Sequence, residues 1–256
     1  MLVDSHCHLD FPELAGRIDQ ILASMEKANV GAALCIGVSL EGMPGVLALI
    51  ENRKNLFASV GVHPEHQDCI EPDLESLSRY AQHERVIGIG ETGLDYYWHK
   101  DRPEWQRARF RTHVMAARAT GKPLIVHTRD AADDTLNIMR EEGADTVGGV
   151  MHCFTESLAV AEAALALGFY ISFSGIVTFK NAKQIKEVAK AIPLDRMLIE
   201  TDAPFLAPMP YRGKTNEPAH VFHVANEIAT LRGISVKEVE SATTENFCRL
   251  FNVSIN

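Results

Sequence analysis

Short apolar runs rich in Val, Ile and Leu begin near Leu2, Gly31, Leu56, Val86, Pro123, Gly148, Phe169 and Met197. They start about 28 residues apart on average, room for one strand, one helix and two short loops. Between them lie stretches with helical periodicity, among them 104–120, 130–142 and 157–167. Gly121, Gly143 and Gly168 follow these stretches, where a left-handed residue closes a helix, and Pro103 precedes the first. The pattern predicts eight strand–helix units and a tail helix or two over 236–250. An open doubly wound sheet would place a G-x-G-x-x-G loop after the first strand, but the chain there reads His6-Cys7-His8-Leu9-Asp10-Phe11. The expected fold is an α/β TIM (β/α)8 barrel with a C-terminal helical tail, one domain over residues 1–256.

The polar residues that end the runs carry the chemical signal. The first run closes on His6-Cys7-His8, the third on His63, the fourth on Glu91, the fifth on His127, the sixth on His152 and the eighth on Asp202. In a parallel barrel the C-terminal strand ends share one face, where active sites sit. Strand alternation points His6 and His8 to one side and Cys7 to the other. Any one of these residues alone reads as a hydrogen-bonded rim group or a helix cap. Together, imidazoles and carboxylates at one barrel mouth call for positive charge among them. Imidazole and carboxylate donors without thiolate suit Zn²⁺, Mn²⁺ and related divalent ions. Even without His63, the four other histidines and two carboxylates exceed one tetrahedral set, so two ions sharing a carboxylate is the expected arrangement. Asp4 and Glu200 have the strand parity of His6 and Asp202 and are expected as supporting polar groups one layer deeper.

Composition narrows the setting. No apolar run reaches the roughly 18 residues of a membrane span. The opening residues lack a basic region and an apolar stretch, so a secretory signal is not expected. Five dispersed cysteines without a C-x-x-C pair point to reduced thiols and a cytoplasmic setting. A formal charge of −9 means that any polyanionic substrate must be met by local cations. Arg129 lies two residues beyond His127, and Arg212 and Lys214 sit in the long loop after the eighth run. His66, His83, His99 and His113 read as solvated or internally satisfied, and His220 and His223 as one helix face. Tyr96, Tyr97 and Trp98 offer rings for base stacking, but three consecutive aromatics more often pack under a loop, and they stay outside the expected site.

Several of these segments carry a resemblance. Ser5-His6-Cys7-His8-Leu9-Asp10, Gly61-Val62-His63-Pro64, Gly88 through Tyr96, Ile125-Val126-His127-Thr128-Arg129, Met151-His152-Cys153-Phe154, Gly168 through Gly175, Glu200-Thr201-Asp202-Ala203-Pro204 and Arg212 through Pro218 resemble the TatD family of metal-dependent DNases, within the amidohydrolase superfamily. The likeness runs from residue 2 to about 251. It implies a TIM barrel, two divalent ions (Zn, Mg or Mn) and phosphodiester hydrolysis of the 3′–5′ exonuclease type. It further implies that His6, His8, Glu91 and Asp202 hold one ion, and Glu91, His127 and His152 the other. Asp202 is then the expected proton acceptor and Glu91 the bridging catalytic carboxylate. His63, Arg129, Arg212 and Lys214 are expected on the substrate side, with single-stranded DNA as partner and no obligate protein partner. The alternatives are a same-fold hydrolase of amide, lactone or small phosphoester bonds, and a metal-stabilised binding protein without turnover.

Overall fold

The computed structural model describes residues 1–255. Its strands are β1 Leu2–Cys7, β2 Val30–Cys35, β3 Leu56–Val60, β4 Val86–Asp95, β5 Leu124–Arg129, β6 Gly149–Met151, β7 Tyr170–Phe173 and β8 Met197–Ile199. They form one eight-stranded sheet in the order of the sequence, the strand order of a TIM barrel. Strands buried on both faces read as unbroken apolar runs, which is why the periodicity found them. Helix Glu104–Thr120 ends on Gly121 at φ 67°, the conformation expected of a glycine closing a helix. The tail consists of helices Val221–Arg232 and Val236–Phe251, the latter opened by a Ser235–Glu238 capping box.

The contacts divide the chain into two compact units. The first holds residues 1–35, 153–162 and those from 171 on. Here β1 pairs with β2, and β7 with β8. The segment leaving β8 is tied back to β1: Asp202 N–H donates to the His6 carbonyl at 2.9 Å, and His8 N–H to that of Ala203 at 2.7 Å. Asn246 of the tail donates to the carbonyls of Leu194 and Met197, fixing the start of β8.

The second unit holds residues 36–152 and 163–170 and is built on β3, β4, β5 and β6 in parallel register. One feature departs from the sequence reading. The fourth strand does not end at Glu91 but continues to Asp95, its ladder running from Thr92↔Val126 to Asp95↔Arg129. Gly93 makes this possible: its φ is 129°, and a Cβ there would collide with the His127 carbonyl. His63 and Asp202, conversely, lie three residues beyond the ends of β3 and β8.

Candidate metal centre

In the first unit, His6 and His8 are buried and lie on β1 and directly after it. Asp202 Oδ1 lies 3.3 Å from His8 Nε2 and 3.7 Å from His6 Nε2. Asp202 stands at φ 59°, a left-handed conformation that aspartate tolerates better than most residues. His8 stacks on Phe11 with ring centres 4.7 Å apart, which restricts its rotation. Beneath this group, buried Asp4 accepts N–H bonds from Thr201 at 2.8 Å and His6 at 3.3 Å, and shares a 2.5 Å bond with the Thr201 hydroxyl. Burial outweighs these bonds and raises the Asp4 pKa to about 8. Glu200 accepts the Cys153 N–H at 2.7 Å. Both deeper carboxyl groups therefore hold main chain.

In the second unit, the rings of three histidines surround one buried carboxylate. Glu91 Oε1 lies 2.8 Å from His152 Nε2, 3.2 Å from His63 Nε2 and 3.3 Å from His127 Nδ1. The other hydrogen bonds of two of these rings separate their roles. His127 Nε2 meets Asp95 Oδ2 at 3.0 Å. The Nε2–H donates to that carboxylate, which leaves the Nδ1 lone pair on the Glu91 side, the arrangement that orients metal-binding histidines. Burial pulls the His127 pKa down, but the Asp95 and Glu91 carboxylates on its two sides favour the protonated ring, outweigh burial and raise the pKa, so the spot favours positive charge. His63 differs. Its Nδ1 accepts the Glu65 N–H at 3.1 Å, so its proton sits on Nε2 and it donates to Glu91. Burial pushes its pKa down to about 4 against the pull of Glu91, and the ring is neutral. With Nδ1 engaged and Nε2 protonated, His63 is a donor rather than a ligand.

These residues fit divalent ions. Two ligands of a tetrahedral ion at about 2.1 Å stand roughly 3.4 Å apart, and the pairs His8–Asp202 at 3.3 Å and His127–Glu91 at 3.3 Å match that spacing. All the donor atoms are nitrogen or carboxylate oxygen, the donor set of Zn²⁺ and Mn²⁺ sites.

Asp95 escaped the sequence reading because Glu91 looked like the end of its strand. The signal was present, since Glu91, Gly93 and Asp95 share strand parity. His113 was expected to be solvated or satisfied, and it is fully buried and satisfied: Nε2 accepts the Val62 N–H at 3.0 Å and Nδ1 meets the Arg109 carbonyl at 2.8 Å. Of the expected substrate cations, Arg129 is exposed at the end of β5 beside Asp95. Arg212 and Lys214 are exposed on their loop, over the rings of Phe179 and Tyr211. The three consecutive aromatics do not behave alike. Tyr96 is buried and donates its hydroxyl to Asp134 at 2.7 Å, whereas Tyr97 and Trp98 are exposed.

Sequence and fold both match known proteins. The family model described as TatD related DNase matches residues 3–252. The chain belongs to that family. It is 48% identical to the uncharacterized metal-dependent hydrolase YcfH of Escherichia coli, over 98% of this chain and 96% of that one. It is 42% identical to the corresponding hydrolase YabD of Bacillus subtilis, over 99% and 100%. The crystal structure of the E. coli TatD homologue YjjV superposes with a TM-score of 0.91 at 30% identity, covering 99% of this chain and 98% of the other. This TatD-family member is a metal-dependent hydrolase with a TIM-barrel fold.

Proposed function

We propose that this TatD-family hydrolase is a cytoplasmic DNase that removes nucleotides from single-stranded DNA in the 3′–5′ direction. The observation that best supports this reading is the Glu91 group. One buried carboxylate oxygen has a histidine turned as a ligand and another turned as an N–H donor, with an exposed arginine two residues beyond the first. Such a site suits the five-coordinate phosphorus of a phosphodiester under attack, which carries two negative charges, better than a carbonyl under attack, which carries one.

In this reading His6, His8, Glu91 and Asp202 hold one ion, and Glu91, His127 and His152 the other, the ions being Zn²⁺, Mg²⁺ or Mn²⁺. Such ions lower the pKa of water toward neutrality and balance charge on the phosphate oxygens. Asp202 takes the proton of the attacking water at its carboxylate. His63 presents its Nε2 proton to the substrate side, and its depressed pKa keeps the ring neutral there. Arg129 meets the scissile nucleotide's phosphate, and Arg212 and Lys214 a neighbouring one. Among the described residues no helix is long and apolar enough to cross a membrane.

Protein reconstituted with each metal and offered single-stranded DNA, duplex DNA, RNA, and a panel of amides and lactones tests the proposal. Single-stranded DNA should be degraded fastest, a 5′-labelled strand giving a ladder that shortens from its 3′ end. Turnover of an amide or lactone without any phosphodiester cleavage would overturn it.

A further inference from the structure

Tyr97 and Trp98 are 42% and 63% exposed, an unusual pairing of large rings at a surface. The rings stand edge to face with centres 4.8 Å apart and planes at 87°. Their position is not left to a loose loop. The main-chain N–H groups of Tyr97 and Trp98 both donate to Asp95 Oδ1, at 3.0 and 3.3 Å. The other oxygen of that carboxylate holds His127. One side chain therefore orients a candidate metal ligand and the adjoining aromatic pair. Arg129 is the register partner of Asp95 in the β4–β5 ladder, and its guanidinium lies 3.8 Å from the centre of the Tyr97 ring and 5.9 Å from that of Trp98. It covers one face of the tyrosine and leaves the indole as the larger open surface.

From this arrangement we infer that Tyr97 and Trp98 form a stacking platform for an unpaired nucleobase, with Arg129 holding the phosphate attached to it. The inference rests on the DNase reading and names the part of the substrate that this side of the site recognises. A planar base stacks on an exposed indole whatever its sequence, because every base presents a π-face. A paired base in a duplex has both faces covered by its neighbours, so the platform selects single strands. A cation beside the rings supplies the charge that a chain of −9 otherwise withholds from a polyanion. Tyr96 shows the contrast within three residues: its ring is buried, its hydroxyl is spent on Asp134, and it takes no part.

The chain has two tryptophans, so Trp105→Phe leaves Trp98 as the single reporter. The metal-loaded protein is titrated with a cleavage-resistant phosphorothioate oligothymidylate, and with an abasic phosphorothioate oligomer of equal length and charge. The base-bearing strand should quench Trp98 emission and bind about tenfold tighter than the abasic one. In otherwise unmodified protein, Trp98→Ala should lose about that factor for the base-bearing strand alone, and Trp98→Phe should recover most of it. Equal affinity for the two oligomers with unchanged Trp98 emission would overturn the platform. In that case wild-type cleavage of DNA still supports the DNase reading. A protein that binds neither oligomer and cleaves no DNA overturns both.

Discussion

The two donor groups are held in different ways. His6 and Asp202 are fixed through the main chain: the Asp202 N–H is returned to the His6 carbonyl, and Asp4 reaches up to the N–H groups of His6 and Thr201. His127 is fixed through a side chain, Asp95, which also holds the turn at Tyr97 and Trp98. A ligand positioned by main-chain bonds keeps its place when a neighbouring side chain changes. A ligand positioned by one carboxylate turns with it. The Glu91 group is therefore the more adjustable half of the chemistry, and the His6–Asp202 group the more rigid one.

The largest expected effect separates chemistry from binding in the rigid group. Asp202→Asn preserves shape and the N–H bond to His6 but cannot take a proton. Turnover should fall by about 10²-fold or more, while the ion of the Glu91 group stays in place. Elemental analysis should find close to two ions in the wild type and at least one in the variant. Near-normal turnover would assign the base elsewhere.

Acidity sharpens the contrast, because the supports of the two groups respond in opposite directions. His113 receives the Val62 N–H next to His63, and burial lowers its pKa to about 4 from 6.5. Between those values the unfolded chain binds the proton and the native one does not. Its contribution is complete above pH 6.5 and is lost as pH falls toward 4, by up to ~3 kcal/mol. Asp4, raised by burial to about 8 from 3.8, does the reverse. The native state keeps its proton through that window, and stability falls as pH rises across it. His113→Gln can still accept the Val62 N–H and should flatten the acid side of the stability profile. Asp4→Asn should flatten the other side. Urea unfolding of metal-free protein across pH 4–8 measures both, and variants with wild-type slopes would remove these groups from the account.

Asp95→Asn tests the adjustable half directly. It should weaken metal binding at the Glu91 group by about 10- to 100-fold, as loss of a ligand's orienting carboxylate does. Asp4→Asn, replacing a carboxyl that keeps its proton at neutral pH, should change metal affinity little. Equal losses in competitive zinc titrations would erase the distinction between main-chain and side-chain support.

The sequence showed ligands of both halves but not the side-chain support of the adjustable one. The eight strands stand out because parallel strands buried on both faces are continuous in Val, Ile and Leu. His6, His8, His127 and His152 stand out because each interrupts or follows such a run. Asp95 was hidden because β4 passes through its own polar residue: Gly93 lets the backbone lie against His127 without a Cβ, and the ladder goes on. The division between Tyr96 and its two neighbours was equally hidden, since it depends on Asp134, which lies on another element. The tautomers that separate His63 from His127 depend on Glu65 and Asp95, partners that a residue list does not supply.

The smallest expected effect comes from the loop cations. Arg212 lies over Phe179 with its guanidinium 4.4 Å from the ring centre, and the Lys214 ammonium is 5.9 Å from that of Tyr211. Both are exposed, on a loop anchored by Asn216 to the carbonyls of Thr201 and Phe205. Neither is tied to a ligand of either group, unlike Arg129, which neighbours Asp95 across the ladder. Charges this exposed act on a polyanion through counterion release and not through fixed geometry. Arg212→Ala with Lys214→Ala should therefore raise KM for single-stranded DNA more than it affects hydrolysis of a small chromogenic phosphodiester. The logarithmic salt dependence of DNA binding should flatten by roughly 0.7 per cation removed. Because the indole of Trp98 and the guanidinium of Arg129 remain, the base-dependent part of the affinity should survive in this variant. If the double variant instead loses both activities in equal proportion with its metals intact, the loop supports the site's structure and reads no phosphate. The cationic contribution to DNA binding would then rest on Arg129 alone.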